Sequence, residues 1–237
     1  MAAGSGAVFS VPVTEPSDTS VDSTRAQIIR AAAHQFAVNA YSSVSLDDIV
    51  ADAGVTKGAL YFHFRSKRAL ADAVVEERVQ SSQAAVAELI KRRMSGLETM
   101  VDAVYLVAVQ EFGTELGRAS VNLLDSAGRI EGKQARRLNE WITGMTPVVQ
   151  RAIAEGDVSP DLDAGDVARM IITLYAGTRV ATELDDTEQF LHHMAKNWAL
   201  ILPAIANPQR LDYLSEFIRR RTAHALRDWK QAESGKS

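Results

Sequence analysis

The chain has 237 residues, a net charge of −4, 46% hydrophobic and 24% charged residues, and no cysteine. This composition is that of an ordinary globular protein with a sizeable core, and it excludes a collagen-like or wholly disordered chain. The absence of cysteine excludes disulfides, thiolate zinc sites and cysteine nucleophiles. There is no apolar run of about 18 residues, and residues 1–13 lack the basic cluster of a secretory signal, so we expect a cytoplasmic protein without a membrane span.

Taken in chain order, the sequence predicts helices almost throughout. Residues 1–21 are rich in Ser, Thr, Gly and Pro and lack helical periodicity, which predicts a mobile tail. Beyond them, apolar residues recur at steps of three and four, and cap residues mark the ends of the segments. We therefore expect an all-α fold of ten helices and no sheet. The predicted helices run over about 23–39, 45–53, 56–63, 66–93, 97–115, 118–126, 133–155, 164–183, 187–206 and 208–231.

The segment 44–63 has the pattern of two short helices joined by a tight turn. Ser45 and Thr56 are placed to cap the two helices, and Gly54 suits the end of the first. Ile49 and Leu60 are spaced to face each other across the turn. This pattern predicts a helix-turn-helix, whose second helix enters the major groove of DNA. A helical hairpin that binds nothing is the alternative.

The charge distribution favours the DNA-binding interpretation over the plain hairpin. Residues 24–68 carry six basic and three acidic side chains, a local charge of +3, so the rest of a chain of net charge −4 carries −7. Positive charge is therefore concentrated where a phosphate backbone would need it.

The run from Gly54 to Phe64, followed by Ser66-Lys67 and Leu70, resembles the DNA-binding domain of the tetracycline-repressor (TetR) family. The resemblance covers about residues 22–70. The chain departs from the family pattern at residues 39–41, where Asn-Ala-Tyr stands in place of a glycine before an aromatic residue. The resemblance implies a DNA-binding domain over 22–82, and a domain for ligand binding and dimerisation over 83–237.

The residues of the second short helix have distinct expected roles. On a helix that begins near Thr56, Leu60 and Phe64 face inward, while Lys57, Gly58 and Tyr61 face outward. Lys57 can donate hydrogen bonds to a guanine edge, and the small Gly58 and Ala59 let the backbone approach the bases. The hydroxyls of Ser45 and Thr56 and the helix N-termini can bind phosphates. The predicted DNA-binding set is Ser45, Thr56, Lys57, Gly58, Ala59, Tyr61, Phe62, His63 and Lys67.

The resemblance implies that Tyr61 and His63 contact phosphates and that Lys67 anchors the DNA backbone. For Tyr61 the alternative is a half-buried packing role, and for His63 a capping or packing role. Phe62 either touches a thymine methyl group or packs within the chain.

Several segments are also similar to the actinobacterial receptors for γ-butyrolactone autoregulators. They are Thr56–Phe64, Glu140-Trp141, Gly177–Val180 and Met194–Trp198 leading to Pro203. The resemblance implies a repressor that is released from DNA by a small, mostly apolar lactone, or by a related furan or butenolide. In that mechanism the ligand shifts the helix predicted over 66–93, and this changes the separation of the two DNA-reading helices.

The helix predicted over 97–115 is apolar around much of its circumference, so we expect it to be central. Large side chains from two further helices suit the wall of an apolar cleft, and nearby polar groups can orient a ligand. A role in the core alone remains the alternative for each of these residues. The predicted ligand-binding set is Trp141, Thr178, Gln110, Thr143, Tyr105, Met145 and Tyr175.

The helices predicted over 164–183 and 187–206 are the candidates for a homodimer interface, because helix-turn-helix proteins read near-palindromes as two-fold dimers. Gly177 would allow a close approach of two helices. One broad apolar face of the later helix carries Leu191, Met194, Ala195, Trp198, Ile201 and Leu202.

No sequence motif of a hydrolase, a nucleotide-binding enzyme or a metalloprotease occurs. We therefore expect no enzyme, no catalytic residue, no cofactor and no metal site. Glu188 and His192 lie one helical turn apart, but two ligands do not make a metal site. The alternatives to a lactone-responsive regulator are a helical interaction module and a TetR-type regulator that senses an unrelated hydrophobic compound.

Overall fold

The computed structural model of the protein describes residues 18–128, 132–183 and 186–234. These residues form ten α-helices and no strand, so the all-α prediction is confirmed for this part of the chain. A π-helical turn, Leu124–Gly128, extends the sixth helix, and a 3-10 turn, Pro208–Arg210, precedes the tenth. The helices are α1 (Asp18–Val38), α2 (Leu46–Ala53), α3 (Lys57–His63), α4 (Lys67–Ile90), α5 (Gly96–Gly113), α6 (Glu115–Leu123), α7 (Lys133–Ala154), α8 (Ala164–Val180), α9 (Thr187–Ile205) and α10 (Leu211–Ser234).

Several helix ends differ from the sequence prediction by three residues or more, and α4 and α8 each end three residues early. Helix α1 begins at Asp18, and residues 1–17 of the predicted mobile tail lie outside the described residues. Helix α6 begins three residues early because the hydroxyl of Thr114 caps it, accepting a hydrogen bond from the Gly117 amide at 3.0 Å. The helix predicted over 208–231 is divided, since Pro208 starts the short 3-10 turn and α10 follows.

The larger of two hydrophobic cores surrounds α5, as the apolar sequence of this helix predicted. Leu97, Met100 and Tyr105 are fully buried in α5 among side chains of α7, α8, α9 and α10. Helix α7 crosses α5 closely at Gly96, where a Cβ atom would lie 2.4 Å from the backbone nitrogen of Ala152. Only glycine fits this crossing without displacing α7.

The second core holds α1, α2, α3 and the first half of α4 together, and we call these elements the N-terminal unit. Two residues of α6, Ala119 and Leu123, are buried in the same cluster. The side-chain amide of Asn122 on α6 donates to the carbonyls of Phe36 and Ala37, at 3.1 and 3.2 Å, near the end of α1. The predicted domain boundary at residues 82 and 83 falls inside the continuous helix α4, and α6 completes the core of the N-terminal unit.

Candidate nucleic-acid interface and ligand pocket

Short-range hydrogen bonds fix the two short helices of the N-terminal unit. The Ser45 hydroxyl accepts from the Asp48 amide at 3.1 Å, and the Asp48 carboxylate accepts from the Ser45 amide at 2.9 Å, which forms a reciprocal capping box. These hydrogen bonds lower the pKa of the Asp48 carboxyl. Gly54 ends α2 with φ 63°, a left-handed conformation that favours glycine. Thr56 caps α3 by accepting from the Ala59 amide at 3.1 Å.

Helix α3 presents one buried and one exposed face, as its sequence predicted. Leu60 and Phe64 are buried against the rest of the N-terminal unit. On the outer face Tyr61 is 54% exposed and Phe62 is 75% exposed. His63 is half-buried and meets the Phe62 ring edge-on, with 5.1 Å between ring centroids. Two adjacent exposed aromatic side chains indicate a surface that contacts another molecule.

The two lysines of the predicted DNA-binding set are not equally available. The Lys57 ammonium forms an exposed ion pair with Asp47, with 2.8 Å between nitrogen and oxygen, and this pair raises the lysine pKa. Exposed pairs of this kind contribute little and exchange readily. The Lys67 ammonium instead donates to the carbonyls of Tyr41 and Val44, both at 2.8 Å, and lies 4.4 Å from the Tyr41 ring centroid. Lys67 therefore ties the α1–α2 loop to α4.

A cavity of about 250 Å³ lies between α4, α5, α7 and α8. Its walls are mainly apolar, with Trp141 and Met145 from α7, Tyr175 from α8, and the second half of α4 opposite. The Trp141 and Tyr175 rings are in contact, with centroids 5.9 Å apart. This volume is just below the usual range of small-molecule sites, about 300–1,000 Å³. The cavity side chains from α4 are Val79, Ser82, Gln83, Val86, Ala87 and Ile90.

Four residues of the predicted ligand-binding set do not line this cavity, and a role for them in ligand binding stays a prediction. Tyr105 is buried beside α10, where its hydroxyl is 2.5 Å from that of Thr222, and burial raises its pKa to about 12. Gln110 accepts from Arg78 at 3.2 Å. Thr143 is exposed and donates to a carbonyl of its own helix, at Asn139. Thr178 donates to Leu174 and accepts from Asn197. Packing between the helices sets the rotation of each helix about its axis, and this rotation points the four side chains away from the cavity.

A polar cluster that sequence reasoning missed borders the cavity. The Tyr175 hydroxyl donates to the Glu111 carboxylate of α5 at 2.5 Å. Burial raises the pKa of the Glu111 carboxyl, and burial together with Glu111 raises the pKa of Tyr175 well above its usual value. Arg78, buried on α4, donates to the Gln110 side chain and to the carbonyl of Val107. An arginine among the mostly apolar inward positions of α4 was the available signal.

Family models match both parts of this arrangement. The model described as "Bacterial regulatory proteins, tetR family" matches residues 28–74, and the one described as "Tetracyclin repressor-like, C-terminal domain" matches residues 113–198. The two matches together cover more than half of the chain. The chain belongs to the TetR family.

Relatives of this TetR-family chain include two regulators of known name. The A-factor receptor protein of Streptomyces griseus is 29% identical over 182 residues, which are 76% of this chain and 63% of that protein. The chain therefore spans less than two thirds of that relative's length. The transcriptional regulator UidR of Escherichia coli K12 is 28% identical over 172 residues, which are 71% of this chain and 86% of that protein.

Solved structures of TetR-family proteins have the same fold. A γ-butyrolactone receptor described as ArpA-like gives a TM-score of 0.72 at 29% identity, covering 86% of this chain and 99% of that one. CprB of Streptomyces coelicolor, solved in complex with its operator sequence, gives a TM-score of 0.70 at 28% identity and covers 86% and 98%. TetR-family proteins are dimeric, ligand-binding regulators of transcription that bind operator DNA, and they are not enzymes.

Within the described residues no three His, Asp or Glu side chains are grouped to hold a metal ion. The Glu188 carboxylate accepts from Lys230 at 3.0 Å, and the His192 Nδ1 lies 2.8 Å from the Glu188 carbonyl oxygen. No helix in the described ranges combines the length and apolar character that crossing a bilayer requires.

The apolar face of α9 that the sequence suggested for the dimer interface is instead part of the core. Leu191, Met194, Trp198 and Leu202 are all buried within this chain, so that assignment was wrong. Apolar side chains that α8 and α9 leave exposed lie elsewhere, with Val180 at 62% and Leu200 at 77% exposure.

Proposed function

We propose that this TetR-family chain is a repressor that binds a near-palindromic operator as a homodimer and releases it when a γ-butyrolactone-type signal occupies the cavity. The protein acts in the cytoplasm, where bacterial operator DNA lies. The observation that carries the proposal is the course of α4. Its first residues, including Leu70, are buried in the N-terminal unit, and its second half, including Val79 and Val86, lines the cavity.

The A-factor receptor and the γ-butyrolactone receptors among the relatives support the signal class. The cavity itself favours a mostly apolar molecule, since Trp141, Met145 and Val148 form one wall and α4 contributes a second apolar one. Such a ligand gains affinity by leaving water, and it changes operator affinity only as far as it prefers the non-binding arrangement.

The DNA-reading surface is the exposed face of α3 with the two helix N-termini beside it. Lys57 leaves its ion pair with Asp47 and donates to an acceptor of guanine, and in this way it reads a base edge. A Cβ atom on Gly58 would meet only the Thr56 hydroxyl, at 3.8 Å, so this glycine serves the close approach of DNA rather than packing in the chain. Phe62 contacts a thymine methyl group, and Tyr61 reaches a phosphate.

The remaining members of the predicted DNA-binding set frame this surface. Ser45, Thr56 and Ala59 lie at the N-termini of α2 and α3, whose positive dipole ends suit phosphates. His63 borders Phe62, and Lys67 holds the loop that precedes α2.

The homodimer forms through the outer faces of α8 and α9, where Val180 and Leu200 are exposed. At Gly177 a Cβ atom would meet no atom of the described residues within 4 Å beyond the adjacent backbone of its own helix, which leaves room for the close approach of a partner helix. A two-fold dimer sets two copies of α3 about 34–36 Å apart, one turn of DNA.

The experiment uses the full chain and an operator selected from a random duplex pool. Binding is followed by fluorescence anisotropy as A-factor is added. We expect A-factor to lower operator affinity, and Trp141→Ala to abolish this response without changing affinity in its absence. Thr143→Ala, on the same helix but outside the cavity, is the matched control. An operator-binding protein that ignores A-factor would refute the signal class, and native mass spectrometry of host-purified protein would then reveal an unrelated hydrophobic ligand by its mass.

A further inference from the structure

The polar cluster of Arg78, Glu111 and Tyr175 connects the cavity wall to α4. Tyr175 lines the cavity, and its hydroxyl reaches Glu111 on α5. Glu111 makes no ion pair within the described residues, and the Tyr175 hydroxyl is its hydrogen-bond donor. The carboxylate therefore depends on a side chain that a ligand in the cavity would touch.

Arg78 is a buried cation on α4 whose hydrogen bonding is incomplete. Its two terminal nitrogens donate to the Gln110 side chain at 3.2 Å and to the Val107 carbonyl at 3.3 Å, and both acceptors are neutral. Its Nε–H is buried without a partner, and in the described part of the chain no carboxylate pairs with it. A buried guanidinium that lacks a hydrogen-bond partner and a counter-ion is energetically costly. A rearrangement that brings a carboxylate to it therefore lowers the free energy.

Glu111 is the carboxylate placed to make that rearrangement. Arg78 donates to Gln110, the residue before Glu111, and to the carbonyl of Val107 one turn earlier, so its guanidinium lies against the turn of α5 that carries Glu111. Arg78 and Arg179 both lower the pKa of Glu111 and partly offset the effect of burial. Arg179 is already engaged, since it holds Asp125 through two hydrogen bonds of 2.9 and 3.1 Å. Arg78 has the unpaired donor.

We propose that Tyr175 is the positioning residue that couples the cavity to α4, because its hydroxyl holds Glu111 away from Arg78 until an effector displaces it. This deepens the proposed function and rests on it. When an effector displaces the Tyr175 ring, Glu111 loses its donor and pairs with the free Nε–H of Arg78. Since Arg78 lies between the cavity segment of α4 and the N-terminal unit, the new pair moves the helix that carries the DNA-reading surface.

The test removes the hydroxyl and asks whether the empty protein behaves as if occupied. Tyr175→Phe keeps the ring and loses the hydrogen bond to Glu111. We expect operator affinity without any effector to fall by about five-fold or more. Glu111→Gln, which cannot form the charged pair, is expected to restore affinity to within about two-fold of wild type when combined with Tyr175→Phe.

Tyr105→Phe is the matched control, because it removes another buried tyrosine hydroxyl, bonded to Thr222, on the side of α5 that faces α10. It is expected to leave operator affinity unchanged. Thermal melts verify that each variant is folded, and Tyr175→Met, which also lacks a donor, replaces Tyr175→Phe if that variant does not fold.

The inference is overturned if the Tyr175 variant binds the operator as wild type does, or if Glu111→Gln fails to suppress its defect. Neither result depends on the identity of the effector. A wild-type protein that ignores A-factor would instead count against the proposed signal class, so the two failures are distinguishable.

Discussion

Replacing Lys67 by alanine separates a phosphate contact from a structural one. The sequence suggested that Lys67 anchors the DNA backbone, but its ammonium donates two hydrogen bonds of 2.8 Å inside the N-terminal unit, to the carbonyls of Tyr41 and Val44. We expect Lys67→Ala to destabilise this unit and to loosen the loop before α2. Operator affinity then falls because the DNA-reading surface is displaced.

The size of the effect follows from the contacts. Hydrogen bonds from a charged group contribute about 1.5–3 kcal/mol each, and this site is only partly buried, which favours the lower value. The contact with the Tyr41 ring adds about 0.5 kcal/mol. Freeing the lysine side chain returns about 1.5 kcal/mol of conformational entropy. The expected loss in the free energy of unfolding is therefore about 2 kcal/mol.

The assay combines urea denaturation with operator binding across a range of salt concentrations. Removal of a phosphate contact lowers the slope of log affinity against log salt by about one per site, whereas displacement of the loop leaves the slope nearly unchanged. Lys57→Ala is the control, since its exposed ion pair with Asp47 supports little structure. Our reasoning fails if Lys67→Ala has the same free energy of unfolding as wild type and differs only by a lower slope of log affinity against log salt.

The remaining predictions concern charge, assembly and pH. Asp47→Asn should raise operator affinity several-fold in anisotropy titrations. In this variant Lys57 has no ion pair to break before it binds DNA, and the DNA-reading surface carries one negative charge fewer. Leu200→Glu should shift the protein towards monomer in analytical ultracentrifugation and weaken operator binding, while the helical circular dichroism is kept. The hydrogen bond to Glu115 raises the pKa of His34 above 6.5, so the α1–α6 contact should weaken slightly as the pH rises through that raised pKa. His34→Gln should remove this pH dependence from thermal melts.

Each of these predictions has a clear contrary result. An unchanged or lower affinity of Asp47→Asn would show that Lys57 does not read DNA. A Leu200→Glu protein that remains dimeric would exclude the outer face of α9 from the interface. Melting temperatures of wild type and His34→Gln that vary identically with pH would show that the His34–Glu115 contact adds nothing to stability.

The two short helices α2 and α3 could be predicted because their determinants are local. Ser45, Gly54 and Thr56 fix the ends of α2 and α3 within a few residues of themselves, and the structure has the expected hydrogen bonds at each. The inward face of α3, at Leu60 and Phe64, followed from helical spacing once its start was known.

The cavity was less accessible to sequence reasoning. Thr143 and Thr178 have the right chemistry for a ligand site, but their helices turn them elsewhere, and that rotation is set by packing between distant segments. The wall formed by α4 was missed because Val79 and Val86 read as ordinary apolar positions of a connecting helix. The apolar face of α9 with Leu191 was assigned to a partner, although the strongest apolar face of a helix first meets its own core.

The burial of Ala119 and Leu123 among α1–α4 bears on how such regulators are recombined. A fragment cut at the middle of α4 would lack these two side chains and the Asn122 amide that binds the carbonyls of Phe36 and Ala37. A chimera that grafts this DNA specificity onto a foreign sensor must therefore carry α6 with the graft, or replace it with a helix of matching shape. The segments to be exchanged in such a chimera are therefore those whose side chains are buried in the same core, and a single cut in the sequence does not define them.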